Sequence, residues 1–267
     1  RDEAIGGLSP LAELTEAQRD AVQAALDGIA PGRYHVTLGL KHAEPMIETA
    51  VEEVAAAGFG RIIGAVLAPH SSSYSIGQYL GRTNEAAGPH GIEVVGVESW
   101  ALEPAFVDFL AADLEPRLAS MRAEVGGPVR VLFTAHSLPQ RIIDGGDPYP
   151  DELRATAEAV AARLALSEGN DWQIAWQSAG RTPEPWIGPD ILDVITELGG
   201  EPVGGVIVSA VGFVADHLEV LYDLDIEAAQ HAASLGLAFD RTACVNDDPH
   251  VLAALAARVH AEAATLD

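Results

Sequence analysis

Cysteine is nearly absent from this chain: its 267 residues contain one, Cys244. A single thiol excludes an intrachain disulfide and any four-cysteine zinc or iron–sulfur site, and it suits a reducing compartment. Bases are scarce too, 15 against 40 acids, which leaves a formal charge of −25. That deficit disfavours a general grip on nucleic acid or anionic lipid, since both need basic patches, and it favours cationic partners. Long apolar runs are missing. The longest, residues 202–215, is too short to span a bilayer and contains Pro and Gly. No signal peptide is read ahead of the first domain, so a cytoplasmic protein without an integral membrane segment is expected. Low-complexity tracts, heptads and short repeats are likewise lacking.

What is present is an alternation. Apolar, β-branched runs occur at 34–40, 61–69, 129–137 and 204–214, with weaker ones at 92–100 and 172–180. Between them, segments such as 46–57, 104–123, 151–165 and 189–198 carry apolar residues at helical spacing. Strands alternating with helices predict an α/β protein of parallel sheets with helices on both faces. The length suits one large domain or two ordinary ones. A boundary is expected near 97–101, giving one lobe of 1–97 with a returning C-terminal helix in 240–267 and a second of 98–239. Several strands run into polar or Gly/Pro-rich segments: "KHAEP", "APHSSSYS", "AHSLPQRIIDGGDPYP", "QSAGRTPEPW" and "DHLEVLYD". Ligands of parallel sheets bind beyond the carboxyl ends of the strands, so these segments are expected to converge.

Two features carry chemistry. His136 ends the run "VLFTAHS", where a lone histidine is either a hydrogen-bonded structural residue or a ligand and base. Glu219, Asp223 and Glu227 recur every four residues after the strand at 204–214. On a helix they fall on successive turns and repel one another, which describes either a solvated acidic face or a row that attracts and passes a cation.

Five stretches, "AHSLPQRIIDGGDPYPDEL", "WQSAGRTPEPWIGPD", "VGFVADHLEVLYDLDIEA", "EAIGGLSPLAELTEAQ" and "LGLKHAEPMIE", together resemble the ferrochelatases, and most closely their coproporphyrin III branch. The resemblance implies two Rossmann-like lobes with a porphyrin cleft between them. It also implies that His136 and Glu219 are the catalytic and metal-binding pair on opposite faces of the macrocycle. Asp223 and Glu227 then lead outward, along a helix widened toward a π-helix, to an outer cation site matched also by Arg1 and Ser9. Trp186 matches a pocket tryptophan, against the alternative of an ordinary core residue. Lys41 and His42 match residues beside the cleft, against that of a surface pair. Ser73, Tyr74 and Ser137 complete the substrate-binding set, although Ser-rich turns are common. By the same resemblance the opening strand and following lip precede Arg1 and are not in this sequence.

Porphyrin and ferrous iron are the expected partners, with an iron donor or heme acceptor protein as a further candidate and a monomer as the expected state. No prosthetic group and no iron–sulfur cluster are expected, and the outer acidic site is a candidate for Mg2+. Iron delivery is expected through His136 and proton removal toward Glu219, whose pKa a cleft of like charges should raise. The rival expectations are a cobaltochelatase of related fold and a porphyrin or metal carrier without turnover.

Overall fold

The computed structural model describes residues 1–266. They form two compact units, one of Glu13–Trp100 with the chain from Asp247 on, the other of Arg1–Ala12 with Ala101–Asn246. The boundary falls after Trp100, within the expected 97–101, and the units differ from the sequence expectation at two further places. The first twelve residues group with 101–246, where Asp2–Ile5, a short 3-10 turn, packs on the helix that carries Glu219. Residues 240–246 group there as well, because they continue a strand of that unit's sheet.

In the unit of 13–100, strand β1 (Arg61–Ala65) pairs in parallel with β2 (Glu93–Val97). Helices α1 (Leu11–Ile29, from residue 13 on), α2 (Ile47–Ala56), α3 (Ile76–Ala87) and the C-terminal helix Pro249–Ala264 complete it. Gly64 and Gly96 lie opposite each other in register. A Cβ on either would collide with Leu80, so this glycine pair lets α3 lie close on the strands. The predicted strand at 34–40 is not one: it meets only an isolated bridge, Leu40 to Met46. The Gln23 side chain takes the place of a partner strand there, accepting from Val36 N at 2.7 Å and donating to Tyr34 O at 3.1 Å.

The other unit is built on a four-stranded parallel sheet in the order β4-β3-β5-β6: β3 (Val129–His136), β4 (Trp172–Gln177), β5 (Gly205–Ser209) and β6 (Ala238–Arg241). The central strands β3 and β5 are buried throughout except for His136, as a strand covered on both faces requires. Leu132, Val206 and Val208 pack with α7 (Ile191–Leu198) and with Val220, Leu224, Ala228 and Ala232 of the acid-row segment. Neighbouring residues point the opposite way: a Cβ on Gly205 would press on Met121 of α4 (Pro104–Val125), so that helix covers the other face. Helices α5 (Gln140–Asp144) and α6 (Tyr149–Arg163) follow β3. No helix among the described residues is long and apolar enough to cross a membrane.

The acid-row segment is three helices in sequence: α8 (Leu218–Leu221), a π-helix at Asp223–Ala228, and α9 (Ala229–Ser234). Glu227 N donates to Tyr222 O at 2.9 Å, five residues back, which is the widened turn. The C-terminal helix, Pro249–Ala264, is α10; Asp248 caps it by accepting from His250 N and Val251 N.

Candidate active site

The sheet places the first functional side chain. β3 runs buried to Ala135, and His136 emerges at its carboxyl end. Its Nδ1 lies 2.5 Å from Ser137 O. A carbonyl only accepts, so Nδ1 carries the proton and Nε2 presents a lone pair when the ring is neutral. Nε2 is 3.5 Å from Glu219 Oε1, so the two side chains meet directly, with no room between them for the macrocycle whose opposite faces they were expected to hold. The second carboxylate oxygen, Oε2, is 3.4 Å from Nε2 of His217, whose Nδ1 lies 3.0 Å from Ala215 O. Glu219 is thus bracketed by two imidazoles.

The backbone under Glu219 is fixed from the sheet. Gln177, buried at the end of β4, donates to Glu219 O at 3.0 Å and accepts from Thr134 of β3 at 2.8 Å. On the far side of the site Trp186 stands with its ring centroid 6.2 Å from that of His136, inclined by 54°. Its indole donates to Thr182 Oγ1 at 2.8 Å, and Gly180 leaves room for it, since any Cβ there would strike the indole ring.

The row continues outward. Asp223 is buried and accepts from Ser178 Oγ at 2.6 Å, while its other oxygen meets Arg1 at 3.2 Å. Ser178 holds this position from the left-handed region, φ 58°. The Arg1 guanidinium also lies over the Tyr222 ring, 4.7 Å from its centroid. Glu227 is exposed at the end of the row. Together His136, Glu219, Asp223, Glu227, Arg1 and Trp186 line a pocket of about 480 Å³ within this unit, with Gln177, Ser178, Arg181 and Asp190 among its other walls.

Electrostatics correct one expectation. Burial pushes the Glu219 carboxyl up, but the hydrogen bonds and charge of His136 and His217 outweigh it and hold the group at about 2. The sequence predicted a raised value from neighbouring acids; the flanking imidazoles reverse the sign. Burial pulls His136 down, yet the hydrogen bond and charge of Glu219 leave it raised above its ordinary 6.5. Asp190, which caps α7 and was not anticipated, is raised by burial and by nearby Asp193 and Asp223.

Other predicted residues lie elsewhere. Ser137 is buried, and its hydroxyl donates to Ile187 O at 2.7 Å, a bond internal to the fold rather than one offered to a ligand. Ser9 accepts from Leu11 N at 3.4 Å at the start of α1 and is not among the residues lining the pocket. Lys41, His42, Ser73 and Tyr74 belong to the unit of 13–100. There Lys41 donates to Gln78 and lies over Tyr79, its pKa lowered by burial and then by Arg82. Tyr74 N donates to Ser72 Oγ, while Ser73 and His42 are exposed.

Solved chelatase structures share this fold. The sirohydrochlorin chelatase SirB of Bacillus subtilis subspecies spizizenii in complex with cobalt superposes with a TM-score of 0.58, over 92% of this chain and 88% of that one at 13% identity. SirB of Bacillus subtilis with Fe3+ gives 0.57 at 16% identity, over 91% and 88%. Sequence comparison is more specific. The ferrochelatase family profile matches residues 1–263. A ferrochelatase of Herpetosiphon aurantiacus is 44% identical over 93% of this chain and 81% of its own length. A coproporphyrin III ferrochelatase of Anoxybacillus flavithermus is 41% identical over 96% of this chain and 81% of its own. The chain belongs to the ferrochelatase family.

Proposed function

We propose that this protein inserts ferrous iron into a porphyrin in heme biosynthesis, with coproporphyrin III as the substrate and coproheme as the product. The observation that carries the reading is the His136–Glu219 pair, 3.5 Å apart on the wall of a pocket that also holds Trp186. Relatives named coproporphyrin III ferrochelatase, at 40–41% identity, support the choice of porphyrin.

Metallation needs a hydrated Fe2+ to shed water and two pyrrole protons to leave. A carboxyl held at about 2 is a poor base near neutrality but a permanent anion, so Glu219 suits the cation. His136, with its raised affinity for a proton and an Nε2 lone pair in the neutral form, suits the pyrrole proton. This exchanges the roles expected from sequence. The flat indole of Trp186 is a surface for the macrocycle.

Asp223, Glu227 and the Ser178 hydroxyl offer hard oxygen donors that suit Mg2+ or incoming Fe2+. Arg1 already neutralises Asp223, so a cation there competes with the guanidinium. Lys41, His42, Ser73 and Tyr74 are proposed hydrogen-bonding partners of porphyrin carboxylates.

The test is anaerobic Fe2+ insertion followed by absorbance, with coproporphyrin III and protoporphyrin IX in parallel and Co2+ as an alternative metal. Faster turnover of coproporphyrin with Fe2+ is expected. Porphyrin binding without turnover of either would overturn the reading in favour of a carrier.

A further inference from the structure

The segment 216–227 crowds five carboxylates, Asp216, Glu219, Asp223, Asp225 and Glu227, into twelve residues. It also contains a π turn, which is rare and less favourable than the α-helix it interrupts. Like charges at these spacings repel, so a cation that meets them stabilises the segment. Arg1 meets one of the five, Asp223.

A second cation meets two more. Arg241, at the end of β6, grips Asp225 with both arms of its fork, Nε at 2.5 Å and Nη2 at 3.0 Å. The same Nη2 lies 3.1 Å from Asp216 Oδ1, and Nη1 donates to Thr242 O at 3.1 Å. Asp216 is further tied to Asn246, which donates to its Oδ2 at 2.9 Å and accepts from its backbone N at 2.8 Å. The Arg241 side chain is only 15% exposed, so this is not a solvated surface pair of the kind that contributes little.

The geometry matters because of what lies between the two carboxylates. Asp216 immediately precedes His217, which touches Glu219; Asp225 sits in the π turn between Asp223 and Glu227. We propose that Arg241 is a positioning residue that pins both ends of the acid-row segment to the sheet and so keeps Glu219, Asp223 and Glu227 aligned for an incoming cation. A lysine cannot replace it, since one ammonium lacks the planar fork that meets Asp225 with two parallel bonds while reaching Asp216.

This inference rests on the ferrochelatase reading, and its test separates the two. Arg241→Met, Arg241→Lys and Asp225→Asn are compared with Arg117→Met. Arg117 makes a similar set of pairs, with Asp113 and Asp240, which themselves accept from Ala243 N and Arg241 N; it does not touch the segment, and so controls for disturbance of the end of β6 with the Arg241 fork left in place. In steady-state insertion Arg241→Met is expected to raise the KM for Fe2+ roughly tenfold, the scale of a small misplacement, with the porphyrin KM unchanged. Arg241→Lys and Asp225→Asn fall between it and the wild type, and Arg117→Met stays at the wild-type value. Amide exchange followed by mass spectrometry in the ligand-free proteins is expected to quicken over 216–228 in Arg241→Met and not in Arg117→Met. Should Arg241→Met fail to fold, the other two variants read the same quantities. A wild type that inserts no iron sinks the functional reading alone, and exchange then decides the staple. Equal Fe2+ KM values for the Arg241, Asp225 and Arg117 variants, or unchanged exchange over 216–228, overturn the inference.

Discussion

His136 and Glu219 share one proton equilibrium, and its sign sets the pH dependence of the reaction. Below the raised pKa of His136 the ring is an imidazolium without a lone pair, unable to bind metal or take a pyrrole proton. Activity is therefore expected to rise with pH along an acid limb lying above 6.5, the ordinary imidazole value. Glu219→Gln removes the charge that raises His136, so any residual activity shows that limb moved to lower pH; kcat/KM against pH measures it, and an unmoved limb separates the two groups. His136→Ala is expected to abolish insertion while porphyrin still binds, read by fluorescence quenching. Ser178→Ala takes a hydrogen bond from the buried Asp223 carboxylate, which by comparison with other bonds to charged groups costs about 1.5–3 kcal/mol, measurable in chemical denaturation. His136 and Glu219 were legible in sequence, but His217 was not, although it stands two residues from Glu219. Residues two apart on a helix do not face each other. His217 precedes the helix in an extended conformation, φ −157° and ψ −177°, and so folds back onto the carboxylate.

At the scale of the element, the question is what aligns residues spaced by four. An α-helix turns such a row by about 40° per step, because four residues exceed one turn of 3.6. The wider turn at Asp223–Ala228 turns the row back, keeping Glu227 on the wall that holds Glu219. If Asp223 and Glu227 merely keep the surface wet, the double variant Asp223→Asn, Glu227→Gln leaves kinetics alone. The expected outcome is instead a higher Fe2+ concentration for half-maximal rate at constant porphyrin dependence, found by titrating each substrate separately. Leu224, within the π turn, is fully buried against the sheet, and Leu224→Ala is expected to cost about 2–5 kcal/mol in thermal or urea unfolding. Most elements could be read from their periodicity. β6 escaped because it is four residues long and ends in Asp240 and Arg241, and 34–40 misled because an extended apolar run can be held by a side chain, here Gln23, as well as by a strand.

For the whole molecule the dominant quantity is its charge of −25. Such a field draws cations in and holds off a porphyrin bearing carboxylates, and salt screens both effects, over about 10 Å at 0.1 M. Raising ionic strength with an inert salt is expected to raise the KM for Fe2+ and to lower that for coproporphyrin III. If both move together, the field does not steer the substrates.

Composition and pattern by themselves determined the α/β class and the parallel strands, and they singled out His136 and the row from Glu219, which the family resemblance then joined into one expected site. The class, the strands and these candidates rest on properties local in sequence: the period of apolar residues, the residue at a strand end, a spacing of four. Tertiary structure decided the rest. It brought His217 and His136 to opposite oxygens of Glu219 and so inverted its predicted pKa. It turned the Ser137 hydroxyl inward to Ile187 and set Ser178 on Asp223. It carried Arg241 across the sheet to a segment that begins twenty-five residues earlier with Asp216. Charges and hydrogen bonds act over a few ångströms of space, and only the packing of the sheet and its helices determines which side chains come that close.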